Sequence, residues 1–203
     1  MIYKLEFDMD RIDNAIKKGT NTIYAHESNL LEIEYEGIKK GYFMYIITKG
    51  KTINNWPKIQ FYYSSIASTL ENEYLLNVDT WPIIHVSVKE EFEKNGIEGI
   101  QYLPIELIDT FTRKTNRNYV VMNVLNLLDV IDMEKSEFIY TKEYNLYTFM
   151  PHATYFKQNS CDGYDIFRAN KNAIPLYVSE KLKKIIENSD WIGFDLYSQR
   201  MSK

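Results

Sequence analysis

The chain has 203 residues, 45% of them hydrophobic and 26% charged, with a single cysteine and a formal net charge of −4 at pH 7. Such a composition supports a folded unit that buries a core without staples and excludes a disordered tail or a disulfide scaffold, since Cys161 has no partner within the chain. The basic residues fall in small scattered groups, not in the patch typical of a nucleic-acid binder, and the longest apolar run, YFMYII, is far short of the ~20 residues that span a bilayer.

The first ten residues, MIYKLEFDMD, carry charges where a signal peptide needs an apolar run. The sequence therefore reads as soluble and cytoplasmic, binding neither nucleic acid nor membrane and needing no cofactor. In the next stretch Tyr3, Leu5 and Phe7 alternate with Ile2, Lys4 and Glu6, the period of a first strand. DRIDNAIKKG places Ile12, Ala15 and Ile16 at helical spacing, with Gly19 to end the helix. LEIEYEG reads as a one-sided strand, with Leu31, Ile33 and Tyr35 on one face and Glu32, Glu34 and Glu36 on the other. GYFMYIIT, apolar on both faces, reads as a central strand, and KIQFYY (Lys58 to Tyr63) as another. Trp56-Pro57 and Trp81-Pro82 predict loops.

A phrase then occurs twice. VSVKEEFEKNGIEGIQY begins at Val86, and VSEKLKKIIENSDWIGFDL begins at Val178. In the first copy, PIIHV predicts a strand and Ser87 with Glu90 a capping box. Val88 and Phe92 share a helix face, Gly96 stops the helix, and IEGIQY resumes as a strand. In the second copy, IPLYV predicts the strand, Ser179 the cap, Leu182, Ile185 and Ile186 the buried stripe, and WIGFDL the closing strand. Gly99 and Gly193 fall at matching places, where a glycine inside a strand signals a close backbone approach or a bulge. The recurrence reads either as chance or as a strand–helix–strand unit used twice.

Between the copies, Tyr119 to Asn123 predicts a strand, and Val124, Leu127, Leu128 and Ile131 follow at helical spacing. EFIYTKEYNLYTFM predicts one or two strands, QNSCDGYD a turn, and DIFRANKNAIPLYV a hairpin. The fold expected is α+β: a mixed, largely antiparallel sheet with three or four short helices.

No phosphate loop or metal-ligand spacing is present. His26 sits in a polar loop and His85 in a strand. His152, Cys161 and Asp162 form the only nucleophile set worth weighing, without a nucleophile elbow to support it. Asp129, Asp132 and Glu134 suit caps and turns better than acid–base catalysis. Seventeen tyrosines, beside ten phenylalanines and three tryptophans, read mostly as core because they follow strand periodicity, while QFYYSS and YNLYTF point some of them to the surface, where tyrosine suits protein contacts.

Three stretches in order, GIEGIQYLPIELID (from Gly96), NYVVMNVLNLLDVID (from Asn118) and DIFRANKNAIPLYVSEKLKKIIENSDWIGFDL (from Asp165), resemble immunity family 11 of bacterial polymorphic toxin systems. The resemblance spans about residues 81–196. It implies an immunity-like core over 81–203 preceded by a variable N-terminal part over 1–80, as a single domain or two closely packed subdomains. It also implies a non-enzymatic protein that binds and neutralises a toxin encoded by a neighbouring gene. The motif residues Ser87, Gly99, Asn123, Asp129, Asp132, Ser179 and Gly193 look structural on this view. Partner contact then falls to Glu32, Glu34, Glu36, Tyr62 and Tyr63, the acids suiting a basic partner. An exposed edge strand permits a homodimer. The rival readings are a scaffold or adaptor unrelated to toxins, and a small hydrolase using His152 and Cys161.

Overall fold

The computed structural model describes residues 1–10, 13, 14, 22–67 and 71–202. Its strands, in chain order, are β1 (Ile2–Phe7), β2 (Glu27–Ser28), β3 (Gln60–Tyr63), β4 (Tyr74–Leu75), β5 (Ile83–His85), β6 (Ile100–Pro104), β7 (Glu106–Asp109), β8 (Thr115–Asn116) and β9 (Tyr119–Val124). They continue with β10 (Leu127–Leu128), β11 (Phe138–Thr141), β12 (Leu146–Phe149), β13 (Tyr155–Phe156), β14 (Ile166–Ala169), β15 (Asn172–Ser179), β16 (Phe194–Ser198) and β17 (Arg200–Met201). Two α-helices described over their whole length, α1 (Val86–Lys94) and α2 (Glu180–Glu187), and three 3-10 helices accompany them among the described residues. Of the helix expected over DRIDNAIKKG, Asp10, Asp13 and Asn14 are helical, while its apolar positions Ile12, Ala15 and Ile16 and its stop Gly19 lie outside the described residues.

The class is α+β with mixed and antiparallel sheets and few helices. The strands form several sheets instead of the single one expected: β10-β14-β15-β1-β16, β4-β5-β9-β6, β2-β3-β7-β8, and the two-stranded ribbons β11-β12 and β13-β17. Pairing is antiparallel except for β3 with β7, β10 with β14, and β13 with β17.

Alternation of side chains places a core on each side of two sheets. On β1, Tyr3 and Leu5 face a central core while Ile2 faces the opposite side, and on β15 Leu176 and Val178 are split from Tyr177 in the same way. On β9, Met122 and Val124 face the central core, and Tyr119 and Val121 face an N-terminal core with Phe43, Phe61 and Trp81. Both helices turn their apolar stripes into the central core. Val88 and Phe92 of α1 meet Leu182 and Ile186 of α2 there, all buried. At the sheet edges Tyr74 stacks between Phe7, at 4.5 Å, and Phe194, at 4.8 Å, and its amide donates to the Ile192 carbonyl.

Four expectations give way to tertiary packing. LEIEYEG is no strand: Leu30 to Glu32 form a 3-10 turn with Leu30 buried and Leu31 exposed, and Gly37, at φ 73°, bends the chain so that the Ile38 amide reaches the Tyr35 carbonyl. GYFMYIIT is a 3-10 helix over Phe43–Thr48: Phe43, Ile46 and Ile47 are buried, at spacings of three and one, and Met44 packs against the same core, while Tyr42 and Tyr45 face solvent. The helix expected around Val124 to Ile131 is extended. Val124 belongs to the central core and Ile131 to the third core behind the five-stranded sheet, so the chain crosses between sheets and cannot coil. Finally, α1 starts two residues early: its N-cap is His85, not Ser87, and His85 Nδ1 accepts from the Ser87 amide at 3.3 Å and lies 2.9 Å from Ser87 Oγ. The Val86 amide is already tied to the Asn118 carbonyl beside β9, which forces the turn at His85.

The other helix follows expectation. Ser179 caps α2, its Oγ accepting from the Leu182 amide at 3.2 Å, and it is itself held by Asp165 at 2.7 Å. Gly99 and Gly193 stand just before β6 and β16, not inside them, at φ 81° and 102°. The close approach is real at both. A Cβ on Gly99 would lie 2.1 Å from the Asn126 side-chain nitrogen, and one on Gly193 2.2 Å from the Tyr74 carbonyl oxygen.

Candidate partner interface

Strand β3 turns the two candidate tyrosines, both half-buried, to opposite faces. Phe61 and Tyr63 point into the N-terminal core side, and burial, then the Asp109 charge, pushes the Tyr63 hydroxyl pKa up. Gln60 and Tyr62 take the opposite face by alternation. The sequence could not tell these two neighbours apart without knowing which side of β3 is covered.

That outer face is an organised polar surface. Glu106 lies beside Gln60 in the parallel β3–β7 register. Its carboxylate accepts from Gln60 Nε2 at 2.9 Å, Lys58 Nζ at 2.9 Å and Arg117 Nη2 at 2.7 Å. Those bonds from Gln60, Lys58 and Arg117 hold its pKa down at about 2. Tyr62 closes the network by donating to Gln60 Oε1 at 3.2 Å. The surface therefore presents a fixed arrangement of charge with a tyrosine ring beside it.

Glu32, Glu34 and Glu36 are all exposed. They follow β2, and Asn29 anchors the start of their segment to β3: its Oδ1 accepts from the Gln60 amide at 2.9 Å and its Nδ2 donates to the Lys58 carbonyl at 3.1 Å. The acids thus leave the sheet from its β2 edge, the strand paired with β3, although not as the regular row a strand would make.

A second exposed feature lies around YNLYTF, among the tyrosines that the sequence offered for contact surfaces. The β11–β12 ribbon pairs Phe138 with Phe149 and Tyr140 with Tyr147 across its strands. The Tyr140 and Tyr147 rings are 4.7 Å apart. Ile139, Tyr144 and Leu146 are more than half exposed. The alternation of EFIYTKEYNLYTFM was visible in sequence, but nothing in it reveals that the ribbon has no further strand beside it.

The residues weighed for catalysis do not converge. Cys161 lines a hollow with Ile2, Gly163 and Ser179, whereas His152 lines another with Phe149, Thr154 and Tyr197. Burial and the Asp162 charge push the Cys161 thiol pKa up, away from the thiolate a nucleophile needs. Asp132 caps a turn, Oδ1 accepting from the Glu134 and Lys135 amides, and Asp129 pairs with Lys157 at 2.9 Å. Asn123, buried on β9, donates to the Lys51 carbonyl and to Gln101 Oε1, both at 2.9 Å, and so ties a loop to the sheet. Asp129, Asp132 and Asn123 thus hold an ion pair, a turn and a loop.

Compared with protein families, the chain matches the model of the Immunity protein family (Imm11) over residues 3–200. The chain belongs to the Imm11 immunity family. The match takes in residues 3–80, which the three motif stretches did not reach. In the fold, β1 lies between β15 and β16, so an N-terminal segment is the middle strand of the C-terminal sheet. None of the curated proteins compared with this Imm11 chain matches it. Among its described residues, no helix is long and apolar enough to cross a membrane.

Proposed function

We propose that this Imm11 protein binds a cognate toxin domain, encoded by a neighbouring gene, and neutralises it by direct contact in the cytoplasm without catalysing a reaction. The observation that carries the proposal is the family match over residues 3–200. In this reading the two strand–helix–strand segments are one framework unit used twice, and partner choice falls to surfaces outside it. The first eighty residues supply that surface: Glu32, Glu34, Glu36 and the outward ring of Tyr62 meet a basic face of the toxin. Tyr63 supports the same surface from the inner side of β3.

Co-expression with the adjacent gene's C-terminal domain tests the reading. Growth should be rescued, and native mass spectrometry should find a stoichiometric complex. The triple reversal Glu32→Lys, Glu34→Lys, Glu36→Lys should slow association by about tenfold or more at low salt while leaving the fold intact. Rescue without any complex, or neither rescue nor complex, refutes neutralisation by contact. An unchanged association rate moves the contact surface away from the acids.

A further inference from the structure

Arg168, from the DIFRAN stretch, has no task in toxin binding as proposed above. Its side chain is 1% exposed. The β14–β15 register slips around it, between Phe167 and Ala169. Nη1 donates to the carbonyl oxygens of Ala173, at 2.7 Å, and Ile174, while Nε is buried without a partner. Every Asp and Glu of the chain lies among the described residues, and none of the ion pairs among those residues involves Arg168. Burial holds its pKa down at about 10, which still leaves it cationic at neutral pH. A buried cation without a counter-ion and a buried N–H without an acceptor are both costly, and native proteins rarely keep either without use.

Arg168 lines a hollow of about 300 Å3 with Leu5, Phe7, Tyr74, Ile174 and Leu176. Lys4 and Glu6 also border it but pair with each other. The volume is at the small end of ligand pockets, and the walls are mainly apolar with one convergent charge. Such walls disfavour a strongly hydrated inorganic anion. A carboxylate carried on an apolar body satisfies both parts: its oxygens take the open donor edge of the arginine fork, and its body covers the rings and aliphatic side chains.

We propose that this hollow is a binding site for a carboxylate on a short apolar body, read by Arg168. The carboxylate comes either from a small molecule or from an acidic side chain or C-terminus of the toxin.

Titration of the free chain with hexanoate, hexanamide and inorganic phosphate, followed by calorimetry and by NMR signals of Tyr74 and Ile174, tests the site. Hexanoate should bind saturably at one site, about tenfold or more tighter than hexanamide, and phosphate should not bind. Arg168→Gln should abolish the preference for hexanoate over hexanamide. Ile174→Trp, at a residue 63% exposed on the rim, should block hexanoate with Arg168 and its carbonyl bonds untouched, which keeps the test valid if the arginine variant fails to fold. Equal binding of hexanoate and hexanamide, or no binding of hexanoate, overturns the proposal. If added toxin domain displaces hexanoate, the carboxylate is the toxin's. If the complex forms with hexanoate still bound, the ligand is a small molecule. The titration uses the chain alone, so its outcome is independent of whether a toxin complex exists.

Discussion

The segments 83–104 and 172–198 share a plan and differ in how they complete it. In the first, α1 joins β5 to β6, and both strands flank β9 in antiparallel pairing. In the second, α2 joins β15 to β16, and both flank β1. The inserted middle strand follows closely in one case and arrives from the other end of the chain in the other. Local order in sequence therefore suffices for the first sheet, whereas the second closes only through a contact between the two ends. The difference also separates an assembly step of low loop-closure cost from one of high cost.

Removing residues 1–7 is the strongest way to break this comparison. It strips the middle strand from the five-stranded sheet, together with Tyr3 and Leu5 of the central core. Loss of cooperative unfolding by calorimetry is expected, with proteolysis reaching the 172–198 segment before the 83–104 segment. Equal protection of both segments would contradict the asymmetry.

The glycines sharpen the comparison at smaller scale. At Gly193 an added methyl meets the backbone carbonyl of Tyr74, which is held by the sheet edge, while at Gly99 it meets the Asn126 side chain. Both carry the strain of a positive φ, about 1–2 kcal/mol. Gly193→Ala should destabilise by roughly 3 kcal/mol or more, and Gly99→Ala by less, in chemical denaturation. Asn126→Ala combined with Gly99→Ala should remove the steric part of the Gly99 effect. A larger loss at Gly99 would show that Asn126, whose Nδ2 also holds the Ile166 carbonyl at 2.9 Å, is the less yielding neighbour.

The smallest contrast is in the caps. Ser179→Ala removes the bond to the Leu182 amide and the bond to Asp165, and should cost about 1–2 kcal/mol by thermal or denaturant unfolding. Ser87→Ala leaves the His85 cap in place and should cost about 0.5 kcal/mol or less. Equal losses would mean that the two helix starts are energetically alike despite their different caps.

Much of the framework was legible in residues whose environment is one-sided. The alternation in β1 and β15, the Ser179 cap, the Val88–Phe92 and Leu182–Ile186 faces, and the special backbone at Gly96, Gly99 and Gly193 all follow from periodicity and sterics that act within a few residues. Legibility failed where neighbouring apolar residues serve different cores, as from Val124 to Ile131, or where an apolar run is only partly covered, as from Gly41 to Thr48. The candidate surface was legible as charge at Glu32, Glu34 and Glu36, but not as geometry. Tyr62 and Tyr63 read alike until β7 and the N-terminal core assign them opposite faces.

The sequence by itself determined which short stretches alternate, which helices are amphipathic, and that no known catalytic spacing is written in the chain, because these properties depend on neighbours within a turn or a strand. Only the tertiary structure decided that β1 completes the C-terminal sheet, that the chain crosses between cores after Val124, and that Arg168 is buried beside an apolar hollow with one donor unmet. Those outcomes depend on which distant surfaces exclude water from a given side chain, and that is settled by packing, not by local order.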